Sequence, residues 1–139
     1  MESIINTSLE LSRNSFSKLN LPHCYRNLVE LEINEDYTMG YVNESGFRAG
    51  TCTPFLFYDI DYEIQTPLMI NSYNMMDFVL LKHASLLDKQ QEMIKLITEI
   101  RKVDGTFIPV FHNYSFGNEK TWKGFKELFI LALNANHED

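Results

Sequence analysis

The amino-acid sequence predicts an α/β protein with a largely parallel sheet. Helix-periodic segments alternate with short apolar, strand-like runs, the pattern of a parallel sheet covered by its crossover helices. The 139 residues, 45% of them hydrophobic and 22% charged, suffice for a single domain with a real core.

Pro22 is expected to open the first helix, because its fixed φ suits a first turn. Leu21, Tyr25, Leu28 and Val29 then share a face, and Asn34 and Asp36 end the helix. Tyr37, Met39 and Tyr41 alternate with Thr38 and Gly40, a strand pattern that sends the three large side chains into the core. Phe55 to Ile60 and Leu68 to Ile70 are apolar runs of buried-strand length, and a short helix is expected around Phe78-Val79-Leu80-Leu81. Asp88 with Gln91 resembles a capping box. Met93, Leu96, Ile97, Ile100 and Val103 follow at helical spacing until Asp104-Gly105 stops the helix. Thr106 to Phe111 reads as a strand ending at His112. Pro109 cannot donate to a ladder, so that strand belongs at an edge or beside a break. A last helix is expected from about Thr121 to Asn134, with Trp122, Phe125, Phe129, Ala132 and Leu133 inward, before a polar tail to Asp139.

Charge narrows the function classes. The 12 basic and 19 acidic residues give a net charge of −7, which argues against nucleic acid, where neutralising phosphates dominates affinity. No apolar run is long enough to cross a bilayer. Met1-Glu2-Ser3 lacks the basic start of a signal peptide, so a cytoplasmic protein is expected. Cys24 and Cys52 then read as reduced thiols outside any metal spacing. Asp59, Asp61 and Glu63 would share one strand face, as a hard-metal site or as a solvated acidic strand end. The missing calcium-loop glycine favours the solvated end.

The segment Gly46-Phe47-Arg48-Ala49-Gly50-Thr51-Cys52-Thr53-Pro54-Phe55 is the most specific local signal. Its glycines permit backbone conformations closed to other residues, and Arg48 between them offers a rigid fork of donors suited to a carboxylate or phosphate. In α/β sheets functional side chains collect at the carboxyl ends of strands. His112 ends one expected strand and Asp77 follows another. Arg48, Asp77 and His112 together suit a hydrolytic site, with the histidine as proton donor and the aspartate orienting it. Each also has a structural alternative: Arg48 bridging loop carboxylates, Asp77 as the N-cap of the helix from Phe78, and His112 as a polar strand end.

The segment from Gly46 to Phe55 resembles the arginine-containing motif of the polysaccharide deacetylase-like family. The similarity extends through Ser12-Arg13, Leu21-Pro22, Tyr25-Arg26-Asn27-Leu28, Asp36-Tyr37-Thr38-Met39-Gly40-Tyr41, Phe57-Tyr58-Asp59, Glu63 with Thr66, Met76-Asp77, Gly105-Thr106-Phe107 and His112-Asn113. It runs from about Thr7 to Leu133 and is most specific from Asp36 to Asp59. The resemblance implies an incomplete (β/α) barrel that removes acetyl groups from carbohydrate with the help of a divalent metal, commonly zinc. It further implies that Arg48 orients the base aspartate, that His112 is the general acid and that Asp77 tunes His112. The tryptophan expected near Asp77 is absent.

The chain departs from the family in one decisive respect. It contains neither the Thr-Phe-Asp-Asp motif that supplies the base and a metal ligand nor the His-x-x-x-His motif that supplies the other ligands; its histidines are 23, 83, 112 and 137. It therefore looks like the C-terminal portion of a deacetylase domain, a partial barrel lacking its first strands. No cofactor is expected in this chain, zinc being expected only with the missing N-terminal part, and without a metal the attacking water keeps its high pKa. Catalysis by the chain alone is not expected. The exposed sheet edge invites pairing with a second copy or with the missing upstream segment. The alternatives are a non-catalytic carbohydrate-binding protein, stacking sugars on Tyr37, Tyr41, Tyr58 and Trp122, and an edge-mediated interaction protein.

Overall fold

The computed structural model describes residues 8–135. Strands β1 (Leu11–Ser12), β2 (Glu35–Asp36), β3 (Phe55–Asp59) and β4 (Ile64–Ile70) form one sheet in the order β1-β2-β4-β3. The first three in that order run parallel, and β3 returns antiparallel along β4. Strands β5 (Met75–Met76) and β6 (Pro109–Val110) make a second, parallel pair. Four helices flank them: α1 (His23–Glu30), α2 (Asp77–Leu80), α3 (Leu86–Arg101) and α4 (Phe125–Ala135). The fold is thus mixed α/β with a mostly parallel sheet and flanking helices. Among the described residues the strands do not close into a barrel.

Asn74 joins the two sheets. The chain leaves β4, crosses residues 71–74 and enters β5, and the Asn74 side chain is almost wholly buried on the way. Its Oδ1 accepts from the Ile108 amide at 2.6 Å, and its Nδ2 donates to the carbonyls of Ser72 (3.2 Å) and Thr106 (3.3 Å). Its main chain donates to Ile108 and accepts from Gly46. A buried amide must find partners for both of its ends, and here the partners belong to different elements.

Two apolar clusters hold the layers together. α1 lays Tyr25 against Ile33, Met39, Phe57, Leu68 and Ile70 of the first sheet. On the other side, α3 and α4 bring Met93, Leu96, Ile97, Ile100, Phe125, Leu128 and Ala132 together with Met75, Leu80, Phe107 and Trp122. Full burial of each large aliphatic or aromatic side chain is worth about 1.5–3 kcal/mol, so these clusters rather than the two-residue strands carry the fold.

Several sequence expectations need correction. The alternation at Tyr37, Met39 and Tyr41 is not a strand; the paired residues are Glu35–Asp36, just before it. Thr38 turns back to bond Asp36, which breaks the extended run, and Tyr41 ends up exposed. Strand β4 begins at Ile64, ahead of Pro67. The missing proline donor is absorbed by an irregularity in β3 between Leu56 and Tyr58, where the Thr66 hydroxyl bonds the Phe57 carbonyl at 2.9 Å. The capping box of α3 is Ser85 with Asp88, not Asp88 with Gln91, and Val103 lies beyond the helix, exposed. Only Pro109–Val110 of the run Thr106 to Phe111 is paired, and β6 does form an edge, as Pro109 requires.

The last helix is interrupted. A 3-10 turn at Lys120–Trp122 precedes Gly124, whose φ of +88° breaks the run before α4, and Leu128 rather than Leu133 faces inward. Asp59, Asp61 and Glu63 do not share a strand face. Asp59 closes β3 and is buried against Arg26, Asp61 sits in the following turn on the same arginine, and Glu63 takes a positive φ. The readings placed on Met1-Glu2-Ser3 and on the tail past Ala135 lie outside the described residues.

Candidate functional site

Strand register builds the site. Met75 and Met76 of β5 lie opposite Pro109 and Val110 of β6, so the residues leaving the carboxyl ends of the two parallel strands emerge side by side. They are Asp77 on one strand and Phe111-His112 on the other. Asp77 is the first residue of α2 and is fully buried. Its Oδ1 accepts from the Phe78 amide at 2.9 Å and lies 2.8 Å from His112 Nδ1. Its Oδ2 accepts from the His112 amide and from the Ser115 hydroxyl, each at 2.7 Å. Two main-chain N–H groups and a hydroxyl leave Asp77 only the acceptor role, so the proton between it and His112 sits on Nδ1. The ring's Nε2 is left for chemistry.

The structure therefore brings Asp77 and His112 together. The alternative reading of Asp77 as an N-cap fails in its strict form: Met76 occupies that position, and no side chain caps the helix. Ser115 was not singled out in the sequence. It is fully buried, and its hydroxyl oxygen also lies 2.5 Å from the His112 carbonyl, so its single proton is shared between that carbonyl and Asp77 at the 3-10 turn (Asn113–Phe116) that follows the histidine. A serine three residues beyond a strand-end polar residue was the only available signal.

An aromatic wall stands beside the pair. Tyr114 stacks on His112 with centroids 4.9 Å apart and planes within 10°, and Phe78 packs on both rings and on Trp122. Burial raises the Tyr114 phenol above its ordinary pKa, and the Asp77 charge adds to the shift. A cavity of about 430 Å³ opens here, lined by Arg13, Phe16, Val42, Phe78, His112 and Tyr114. A neighbouring cleft of about 460 Å³ separates β1 from residues 108–111, with Arg13, Tyr37 and Tyr73 on its wall.

Arg48 lies elsewhere. Gly46 (φ +136°) and Gly50 (φ +75°) take the left-handed backbone expected of them. The half-buried guanidinium donates from Nη1 to the carbonyls of Ser17 (3.0 Å) and Gly40 (3.2 Å). It forms no ion pair with a carboxylate among the described residues, so the loop-bridging alternative holds only for carbonyls. It lines a polar cavity of about 650 Å³ with Lys18, His23, Asn14, Asn20 and Asn27, and none of the lining residues is acidic.

Asp36, at the carboxyl end of β2, is buried and accepts from the Thr38 amide (2.9 Å) and hydroxyl (2.7 Å). Burial raises its pKa against the opposing pull of those bonds. No group of three or more His, Cys, Asp or Glu side chains is placed to hold a metal ion among the described residues. Both cysteines are free, and burial pushes the Cys24 thiol up, away from a reactive thiolate. The four aromatics considered for sugar stacking are dispersed: Trp122 is buried under Phe78 and Phe125, Tyr58 is exposed on outer strand β3, Tyr41 is exposed in the segment after β2, and Tyr37 lines the β1 cleft. Among the described residues no helix is long and apolar enough to cross a membrane.

Compared with family models, with curated proteins and with solved structures, the chain matches none.

Proposed function

We propose that this chain carries the proton-donating half of a carbohydrate deacetylase site, on a partial (β/α) barrel of the polysaccharide deacetylase type. The observation that supports it is the Asp77–His112 pair at the carboxyl ends of adjacent parallel strands. When an acetyl group leaves a sugar nitrogen or oxygen, that atom must gain a proton as its bond to the acyl carbon breaks. His112 donates it from Nε2. Asp77 holds Nδ1–H, fixes the tautomer and stabilises the imidazolium from a buried position. The wall of Phe78 and Tyr114 shields the transfer from water.

Arg48 supports the same reading from its own cavity. A half-buried cation without a carboxylate is costly unless something anionic completes it. Its acid-free surroundings suit the carboxylate of the missing base aspartate, carried by a separate segment that also brings the metal ligands. No step is assigned to a metal within this chain.

The test measures acetate release from an acetylated chito-oligosaccharide. The chain alone is expected to bind no stoichiometric zinc and to give no turnover. Mixing it with a segment bearing the Thr-Phe-Asp-Asp and His-x-x-x-His motifs should restore activity, which His112→Ala then lowers about a hundredfold or more. Turnover by the zinc-loaded chain alone, or mixed activity indifferent to His112, rejects the proposal.

The open edges favour a second reading, an interaction protein. Among the described residues β1 pairs only with β2 and β6 only with β5, and the two edges border the same cleft. A strictly monomeric protein in sedimentation at micromolar concentration counts against it.

A further inference from the structure

Arg13 is a cation placed beside the His112 cavity without an anion to match it. It follows β1 directly and lines both the His112 cavity and the neighbouring cleft. Its guanidinium stands 6.0 Å from the centroid of the Tyr73 ring. A cation over a ring face is oriented there while its in-plane donors remain free. Tyr73 itself is fully buried and pinned by a 2.7 Å hydrogen bond with the Ser17 hydroxyl, so the platform under Arg13 is rigid.

No carboxylate reaches Arg13 among the described residues. No acidic residue lines this cavity; Asp77, which bonds its lining residue His112, has its oxygens engaged by Phe78, His112 and Ser115. In a protein of net charge −7, the cavity lining carries the cation Arg13 and no carboxylate. Such a site draws and orients anions. Apart from Ser15, the remaining walls are apolar or aromatic: Phe16, Val42, Met76, Phe78 and Tyr114. Phe16 is 85% exposed and held at a φ of +61°, an unusual conformation for a bulky residue.

A ring-shaped ligand with an apolar face and a carboxylate at its rim meets all of these groups at once. We infer that Arg13 is a specificity-determining residue that selects a carboxylate-bearing saccharide, of the uronic acid class, for the His112 cavity. The inference rests on the saccharide reading of that cavity given above. The guanidinium takes the carboxylate in its fork, and the rings of Phe78 and Tyr114 carry the C–H face of the sugar.

The full chain is titrated with a defined glucuronate trisaccharide and with its neutral glucose and N-acetylglucosamine counterparts. Binding is followed by the His112 imidazole resonances and by fluorescence of Trp122, whose ring centroid lies 5.4 Å from that of Tyr114. The acidic trisaccharide is expected to bind about tenfold or more tighter than either neutral one, as one charge-assisted pair would give. Arg13→Met should erase that margin without changing neutral binding, Arg13→Lys should retain part of it, and Lys102→Met, a remote charge change, should leave it intact. Equal affinities for acidic and neutral sugars, or a margin that survives Arg13→Met, overturns the role of Arg13 alone. If none of the three sugars perturbs His112, the saccharide reading of the cavity falls with it.

Discussion

Replacing Asp77 separates the local geometry from the general importance of a buried residue. In Asp77→Ala the amides of Phe78 and His112 lose their acceptor, whereas the Ser115 hydroxyl keeps the His112 carbonyl. Each buried donor left unpaired costs about 1–3 kcal/mol, so a loss of about 2–6 kcal/mol is expected for the two amides, a large share of a typical domain's stability. Asp77→Asn is the sharper variant. An amide has one acceptor oxygen, and each carboxylate oxygen of Asp77 faces a main-chain N–H, Phe78 on one side and His112 on the other. Whichever way the amide turns, its NH₂ meets one of them, at a cost of about 1–3 kcal/mol. Urea unfolding measures both costs, and nitrogen-15 imidazole shifts report whether His112 still carries its proton on Nδ1. A change below about 0.5 kcal/mol in both variants, the range of ordinary surface substitutions, with the tautomer unaltered would refute the hydrogen-bonding scheme.

Ser85→Ala removes the reciprocal cap of α3 and should cost about 1 kcal/mol in the same unfolding assay, with Ser85→Gly closer to wild type. Gly40→Ala forces a methyl group into the Tyr73 ring. It should destabilise by about 1–3 kcal/mol and speed hydrogen exchange at the Tyr73 amide, which bonds the Met39 carbonyl; unaltered exchange would show that the ring has room to move. The Arg26 guanidinium on Asp59 holds that carboxyl below its usual range. A depressed folded-state value means that the contribution is complete above the ordinary aspartate pKa of about 3.9 and is lost as pH falls through the folded value. The stability gap between wild type and Arg26→Met should accordingly be constant near neutrality and close in acid; a gap independent of pH contradicts the pairing.

The fold was legible where side chains repeat. The apolar spacing of Met93, Leu96, Ile97 and Ile100 located α3, and the missing donor of Pro109 placed β6 at an edge. Asp77 and His112 were legible from the residues themselves, as polar groups following strand-like runs, with the aspartate expected to orient the histidine. What the sequence hid was set by contacts distant along the chain. The alternation after Asp36 looks like a strand until Thr38 folds back on the Asp36 carboxylate, a local bond that competes with sheet pairing. The acidic triplet near Asp59 looked like one face because nothing in it announced that Arg26, in another element, would gather two of its members. Ser115 and Arg13 were missed because neither belongs to a periodic pattern; their roles come from what the turn after β6 and the end of β1 bring near them.

Asn74 ties two loops into one mechanical unit. The Asp77–His112 pair stands at the end of the small sheet and Arg48 in a separate loop, yet both are tied through this residue: Gly46 bonds its carbonyl, and Ile108 of the segment leading to His112 bonds its side chain. Shifting one loop against the other would strip several buried hydrogen bonds from a single residue, so small displacements are transmitted across the joint rather than absorbed at it. The tolerance for substitution there is correspondingly narrow. Aspartate would turn an anion toward the Ser72 and Thr106 carbonyls, and leucine would leave those carbonyls and the Ile108 amide without their side-chain partner. The spacing between the two halves of the proposed site is therefore set by one side chain that belongs to neither.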